Sequence, residues 1–104
     1  MKPLLFVGGA LDDLAAFPPE ARRAAGFELW QVQNGLMPSD FKAMRAVGAG
    51  VFEIRVHRGG EWRVIDVAAR SEAVYVLHAF AKKSRATRRE DIELAQRRYR
   101  QIGE

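Results

Sequence analysis

The chain has 104 residues, 48% hydrophobic and 29% charged, ordinary globular values that argue for one domain spanning 1–104 and against disorder. It contains no cysteine, which removes disulfides, thiolate nucleophiles and cysteine-based zinc sites. His57 and His78 alone are too few for most metal sites, so neither metal nor other cofactor is expected. The net charge of +4 is unevenly placed: residues 1–81 hold nine basic and nine acidic side chains, residues 82–104 eight basic against four acidic. That asymmetry points to a polyanionic partner, although a solvated helix face accounts for the same run.

The opening MKPLLFVGGALDDL has a short apolar patch cut off by Asp12 and Asp13. It reads as a first strand rather than a secretory signal, and no apolar run approaches the ~20 residues of a membrane helix. The cytoplasm is the expected compartment, with no membrane partner. Residues 10–16 place Leu11, Leu14 and Ala15 on one helical face, with the two aspartates in the first turn. Phe17-Pro18-Pro19 breaks that helix, and the second proline suits the start of the next. Ala21, Ala25, Leu29 and Val32 then keep helical spacing from Glu20 to Gln33, until Gly35 and Pro38 end the run.

From Val51 to Arg58 the period becomes two, with Phe52, Ile54 and Val56 on one face and Glu53, Arg55 and His57 on the other. Gly59-Gly60 signals a hairpin, Trp62–Ala68 is its return strand, and Ala73–Phe80 reads as a largely buried strand; Ala43–Val47 is a candidate for one more. Thr87-Arg88-Arg89-Glu90 has capping-box spacing, with Thr87 as the expected N-cap. Ile92, Ala95, Tyr99 and Ile102 then make an apolar stripe. The predicted class is α+β: a small antiparallel sheet with an N-terminal helical hairpin and a C-terminal helix, all helices against one face.

No phosphate loop, dinucleotide fingerprint or metalloprotease motif is present, and Ser39, Ser71 and Ser84 lack a nucleophile elbow. Gly48-Ala49-Gly50 reads as a turn leading into a strand. Asp12-Asp13 could bind a cation, but aspartates at a helix start are commonplace. The remaining chemistry is cationic. Arg55 and Arg63 flank the hairpin, and Lys82, Lys83 and Arg85 follow the last strand. If they converge, they form a surface able to hold phosphates and stabilise developing charge. A purely structural account has Arg55 pairing with Glu53 or Asp66, and His78 is more readily a hydrogen-bonded core histidine than a proton carrier. The register decides convergence. A two-residue loop at Gly59-Gly60 would put Arg63 on the face opposite Arg55, whereas a three-residue loop with a bulge brings them together, and the bulged form is expected.

Several segments carry a family resemblance: Asp40-Phe41-Lys42, VGAGVFEIR (47–55), WRV (62–64), AVYVLHAFAKKS (73–84), DIELAQRRY (91–99) and the opening FVGGALDDLAAFP. In order and spacing they resemble the RelE/HigB toxin superfamily, in its phage-derived branch. The resemblance implies the toxin of a type II toxin–antitoxin pair, a ribosome-dependent endoribonuclease that cuts mRNA without metal and is neutralised by a cognate antitoxin, a small helix-turn-helix protein. It matches the family's arginine after the hairpin to Arg63 and its cation pair after the last strand to Lys82-Lys83. Of the pair before the hairpin only Arg55 remains, with Glu53 in the other place. A tyrosine of some relatives has no counterpart, Tyr99 lying too far along the helix. The implied catalytic set is Arg55, positioning the phosphate, and Arg63 and Lys83, stabilising charge, with His78 a minority candidate for the proton. The implied RNA contacts are Lys42, Lys82, Arg85, Arg88, Arg89, Arg97 and Arg98, joined by Arg100. Two rival readings share the fold: a ParE-like toxin acting on DNA gyrase, and an RNA-binding module without activity.

Overall fold

A computed structural model describes residues 1–103. A five-stranded sheet runs in the order β1-β5-β4-β3-β2, formed by Leu4–Phe6, Val74–Ala81, Glu61–Val67, Val51–His57 and Phe41–Ala43 respectively. Helices α1 (Ala10–Ala15) and α2 (Pro19–Gln33) precede β2, and α3 (Arg89–Ile102) closes the chain. The elements follow the predicted order. The extra strand lies earlier than expected, at Phe41–Ala43, because residues 45–47 turn. β1 pairs parallel to β5, so the sheet is antiparallel only in its other three pairings.

The helices do not share one face. Leu14, Ala21, Ala25, Leu29 and Val32 pack on Ile54, Val56, Val64, Val74 and Val76. Ala95, with Ile92, Tyr99 and Ile102, packs instead against Val51, Ile65, Val67, Leu77 and Phe80. The alternation along β3 and β4 thus feeds two cores, one on each side of the sheet. The face of β3 that looks polar in the sequence is covered in part by α3, so Glu53 on it is fully buried.

Only Ala95 and Asp91 of α3 are buried, and polar ties supplement the apolar stripe. Gln96 donates to Ala46 O (2.7 Å) and the Tyr99 hydroxyl to Ala49 O (2.9 Å), pinning the helix to the segment before β3. Gly48 belongs to this contact: a β-carbon there would fall inside the envelope of the Tyr99 ring. The expected capping box is absent. Arg88 is the N-cap without a side-chain bond, and the Thr87 hydroxyl donates to Glu53 Oε2 at 2.6 Å, because a fully buried carboxylate competes for it. Among the described residues no helix is long and apolar enough to cross a membrane.

Candidate functional site

The β3–β4 hairpin closes through Arg58, Gly59 and Gly60, with φ of 64° and 141° at the two glycines, conformations that glycine adopts without strain. This three-residue loop pairs His57 with Glu61 and Arg55 with Arg63. The two arginines therefore stand side by side on the α3 side of the sheet, as expected of a three-residue loop, although the β3–β4 ladder runs without the expected bulge. Arg63 is in turn opposite Phe80, and Lys42 lies opposite Glu53. The Lys82 amide donates to Glu61 O, carrying the β4–β5 ladder one residue further. The topology thus brings Lys42, Arg55, Arg63 and Lys82 to one face, with Lys83 and Arg85 exposed just beyond.

The electrostatics differ from a bare cationic surface. Arg63 is 5% exposed. Its Nη1 donates to Glu61 Oε1 (3.1 Å) and Trp62 O (2.9 Å), while its Nε lies 3.8 Å from Glu53 Oε1. Arg63, counted above in a surface able to hold phosphates, is instead walled in, because Glu53 needs a buried countercharge. Arg55 is partly exposed and pairs loosely with Asp40 at 3.7 Å, not with Glu53 or with Asp66, which lies on the other face. The Nε atoms of both arginines and Oε1 of Glu53 are buried without a hydrogen-bond partner.

His57, given no role in the sequence reading, ties this end together. Its Nδ1 lies 2.8 Å from Glu61 Oε2 and its Nε2 2.8 Å from Asp40 Oδ2. The bonds to Glu61 and then Asp40 raise the imidazole pKa, and the same bonds hold both carboxyls below their usual range. The spacing of His57 and Glu61 across a three-residue turn was the available sequence signal. Asp40 had none, since only the fold brings it to β3.

His78 lies apart, buried between helices. Its Nε2 is 2.7 Å from Asp91 Oδ1 and its Nδ1 3.2 Å from Asp13 Oδ2, and its ring stacks on Phe80. β1 ends opposite Val76, so β5 beyond it is an edge, and α1 and α3 meet there. Arg98 completes the junction, donating from Nη1 to Asp13 Oδ2 and to Leu77 O, both at 2.8 Å. Arg98, named above among the implied RNA contacts, has a side chain only 12% exposed, because it answers a carboxylate and a strand-edge carbonyl. Arg88 pairs with Asp91 at 3.1 Å. Among the described residues Lys42, Lys82, Lys83, Arg85, Arg89, Arg97 and Arg100 form no ion pair.

No curated protein sequence matches the chain. Residues 12–100, which include the hairpin, the cations after β5 and most of α3, match the family described as Phage derived protein Gp49-like (DUF891). The chain belongs to this phage-derived Gp49-like family.

Proposed function

We propose that this protein is the toxin of a toxin–antitoxin pair and that it cleaves messenger RNA on the ribosome. The Gp49-like family is associated with the toxins of toxin–antitoxin pairs. The observation that carries the RNA reading is the cross-strand pair Arg55–Arg63, of which Arg55 is partly exposed, beside the unpaired Lys82, Lys83 and Arg85. Exposed guanidinium and ammonium groups set side by side suit phosphate, which they meet through charge-assisted hydrogen bonds.

The RNA supplies its own nucleophile. Its 2′-oxygen gives its proton to water and attacks the adjacent phosphorus in line, and the bond to the 5′-oxygen breaks as that oxygen takes a proton from water, leaving a 2′,3′-cyclic phosphate and a 5′-hydroxyl. Arg55 and Lys83 hold the phosphate and offset the charge that builds on it. Glu61, exposed and bonded to Arg63, is an acid with which an incoming phosphate would compete. Arg63 then acts from beneath, and His78 positions α1 and α3 rather than moving a proton. Arg97 and Arg100 anchor the protein to ribosomal RNA, since phosphate contacts fix position without reading sequence. The antitoxin is acidic and apolar where it meets residues 82–100. Phe27 and Trp30, stacked at 6.0 Å on the outer face of α2 and 54% and 50% exposed, suit burial by a protein partner.

One observation favours a second reading, an RNA-binding module without activity. Each cation in the middle of the sheet has an acid within reach, whereas Lys82, Lys83 and Arg85, just after β5, form no ion pair among the described residues. Incubating the protein with mRNA, with and without translating ribosomes, decides between them. Ribosome-dependent cuts that fall ~10²–10³-fold in Arg55→Ala and in Lys83→Gln are expected. Binding without cleavage would replace the first reading by the second, and inhibition of gyrase would replace both.

A further inference from the structure

On the opposite face of the sheet, between the end of α2 and strands β3 and β4, lies a pocket of about 190 Å³. Val32, Phe52 and Ala68 form its apolar walls, and Leu36 and Met37, each more than half exposed, stand at its mouth. Asp66 lines it as well. This residue is 1% exposed, and its Oδ1 is buried without any hydrogen-bond partner. Burial pushes the carboxyl up to about 7, with only its own backbone amide acting the other way. The single other charged group in the lining is Lys2, whose ammonium donates to Ala68 O at 2.7 Å and makes no ion pair with Asp66.

An apolar cavity with one unanswered carboxyl is costly to leave so, because the charged form lacks both water and a countercharge. We propose that this pocket is a binding site for an alkylammonium group, its ammonium paired with Asp66 and its aliphatic stem laid along Val32, Phe52 and Ala68. A neutral alcohol of the same shape could hydrogen-bond the protonated acid but could not restore the missing charge. The volume is ample, since a cavity of ~150 Å³ already holds a benzene ring. Lys2 does not fill the role: its Nζ donates to Ala68 O and lies outside ion-pair distance of Asp66. The pocket faces away from Arg55 and Arg63, so this inference and the RNA reading stand or fall separately.

The test is calorimetric titration of the whole chain with n-butylammonium at pH 7, in two buffers of different ionisation enthalpy. Saturable one-site binding is expected in the millimolar range. It should release about half a proton per amine, because a group with a pKa near 7 is half protonated there. n-Butanol and the variant Asp66→Asn should each weaken binding at least tenfold. Carbon-detected titration of the Asp66 carboxyl in the wild-type chain should show its pKa falling into the ordinary carboxylate range when the amine is present. A blocked lysine peptide titrated in parallel separates a partner's side chain, if it binds more tightly, from a free small amine, if it does not. No saturable binding, equal binding of butanol, or binding unchanged by Asp66→Asn would each overturn the proposal.

Discussion

Removing the Arg63 side chain tests whether the inner cation of the sheet is structural before it is functional. Glu53 is fully buried and the Arg63 side chain is 6% exposed, with 3.8 Å between Oε1 and Nε. At about 4 Å and an effective dielectric near 20, the attraction is on the order of 4 kcal/mol. Taking away one member of a buried pair typically costs ~3–5 kcal/mol, since the survivor keeps its desolvation penalty. Against a total stability of ~5–15 kcal/mol that is a large share. A chain of this size loses roughly 4–8 °C of Tm per kcal/mol, so Arg63→Met should fall by at least about 12 °C. Glu53→Gln should cost less, because the amide oxygen still accepts from Thr87 and Arg63 keeps Glu61. The double variant should recover much of the loss, as apolar or neutral replacements of buried pairs often do. Urea denaturation of the four proteins supplies the cycle, with a coupling of about 2 kcal/mol or more expected. Single losses that add within ~0.5 kcal/mol would refute the reasoning and return Arg63 to a purely functional role.

His78→Ala should destabilise by about 1–3 kcal/mol, since it strands acceptors on Asp91 and Asp13, while cleavage per folded molecule stays near wild type; equilibrium denaturation beside single-turnover cleavage checks both. The His57 clasp should depend on pH. The raised imidazole contributes fully below its ordinary value of 6.5 and loses that contribution as pH rises through the folded value. The lowered carboxyls contribute above their ordinary 3.8 and 4.5 and lose it as pH falls. The Tm gap between wild type and His57→Gln should therefore be widest between about pH 5 and 6.5 and shrink as the pH rises beyond that range; a flat gap would dismiss the clasp. Arg97→Gln with Arg100→Gln should weaken ribosome binding and flatten its salt dependence without altering cut sites, measured by a salt series of binding and mapping of the cuts.

The elements were legible because each carries its own period or breaker: alternation in 51–57, helical spacing in 21–32, Pro19 at a helix start, two glycines at the hairpin. The register of the hairpin was legible only conditionally, since one residue more or less in the loop inverts the face of Arg63. What the sequence could not disclose was long-range pairing. Nothing near Thr87 announces that Glu53, 34 positions earlier, will take its hydroxyl and leave Arg88 to begin the helix. Arg98 looks like any outward arginine on a helical wheel, until β1 proves too short to cover β5 and leaves Leu77 O and Asp13 to be answered. The two-sided packing was hidden for a related reason. The face carrying Glu53, Arg55 and His57 reads as polar, yet α3 covers its inner part.

That arrangement bears on how the proposed site would work. The charges on the α3 side grade from buried to exposed along the strands: Glu53 and Arg63 inside, then Arg55, then His57, Asp40 and Glu61 at the rim. Inner pairs in low dielectric are strong and stay fixed, whereas rim pairs are screened by water and exchange partners at little cost. An incoming phosphate therefore competes with Glu61 and Asp40, not with Glu53. The Arg63 guanidinium would be held in place before it arrives, the condition for stabilising charge in a transition state rather than merely binding a ground state, whereas Arg55, tied only loosely to Asp40, would adjust to it. Glu61→Gln offers the direct check. It should tighten binding of single-stranded RNA, because one competing carboxylate is gone, while leaving the Glu53–Arg63 pair and most of the stability intact. Weaker binding in that variant would mean that Glu61 orients the site instead of guarding it.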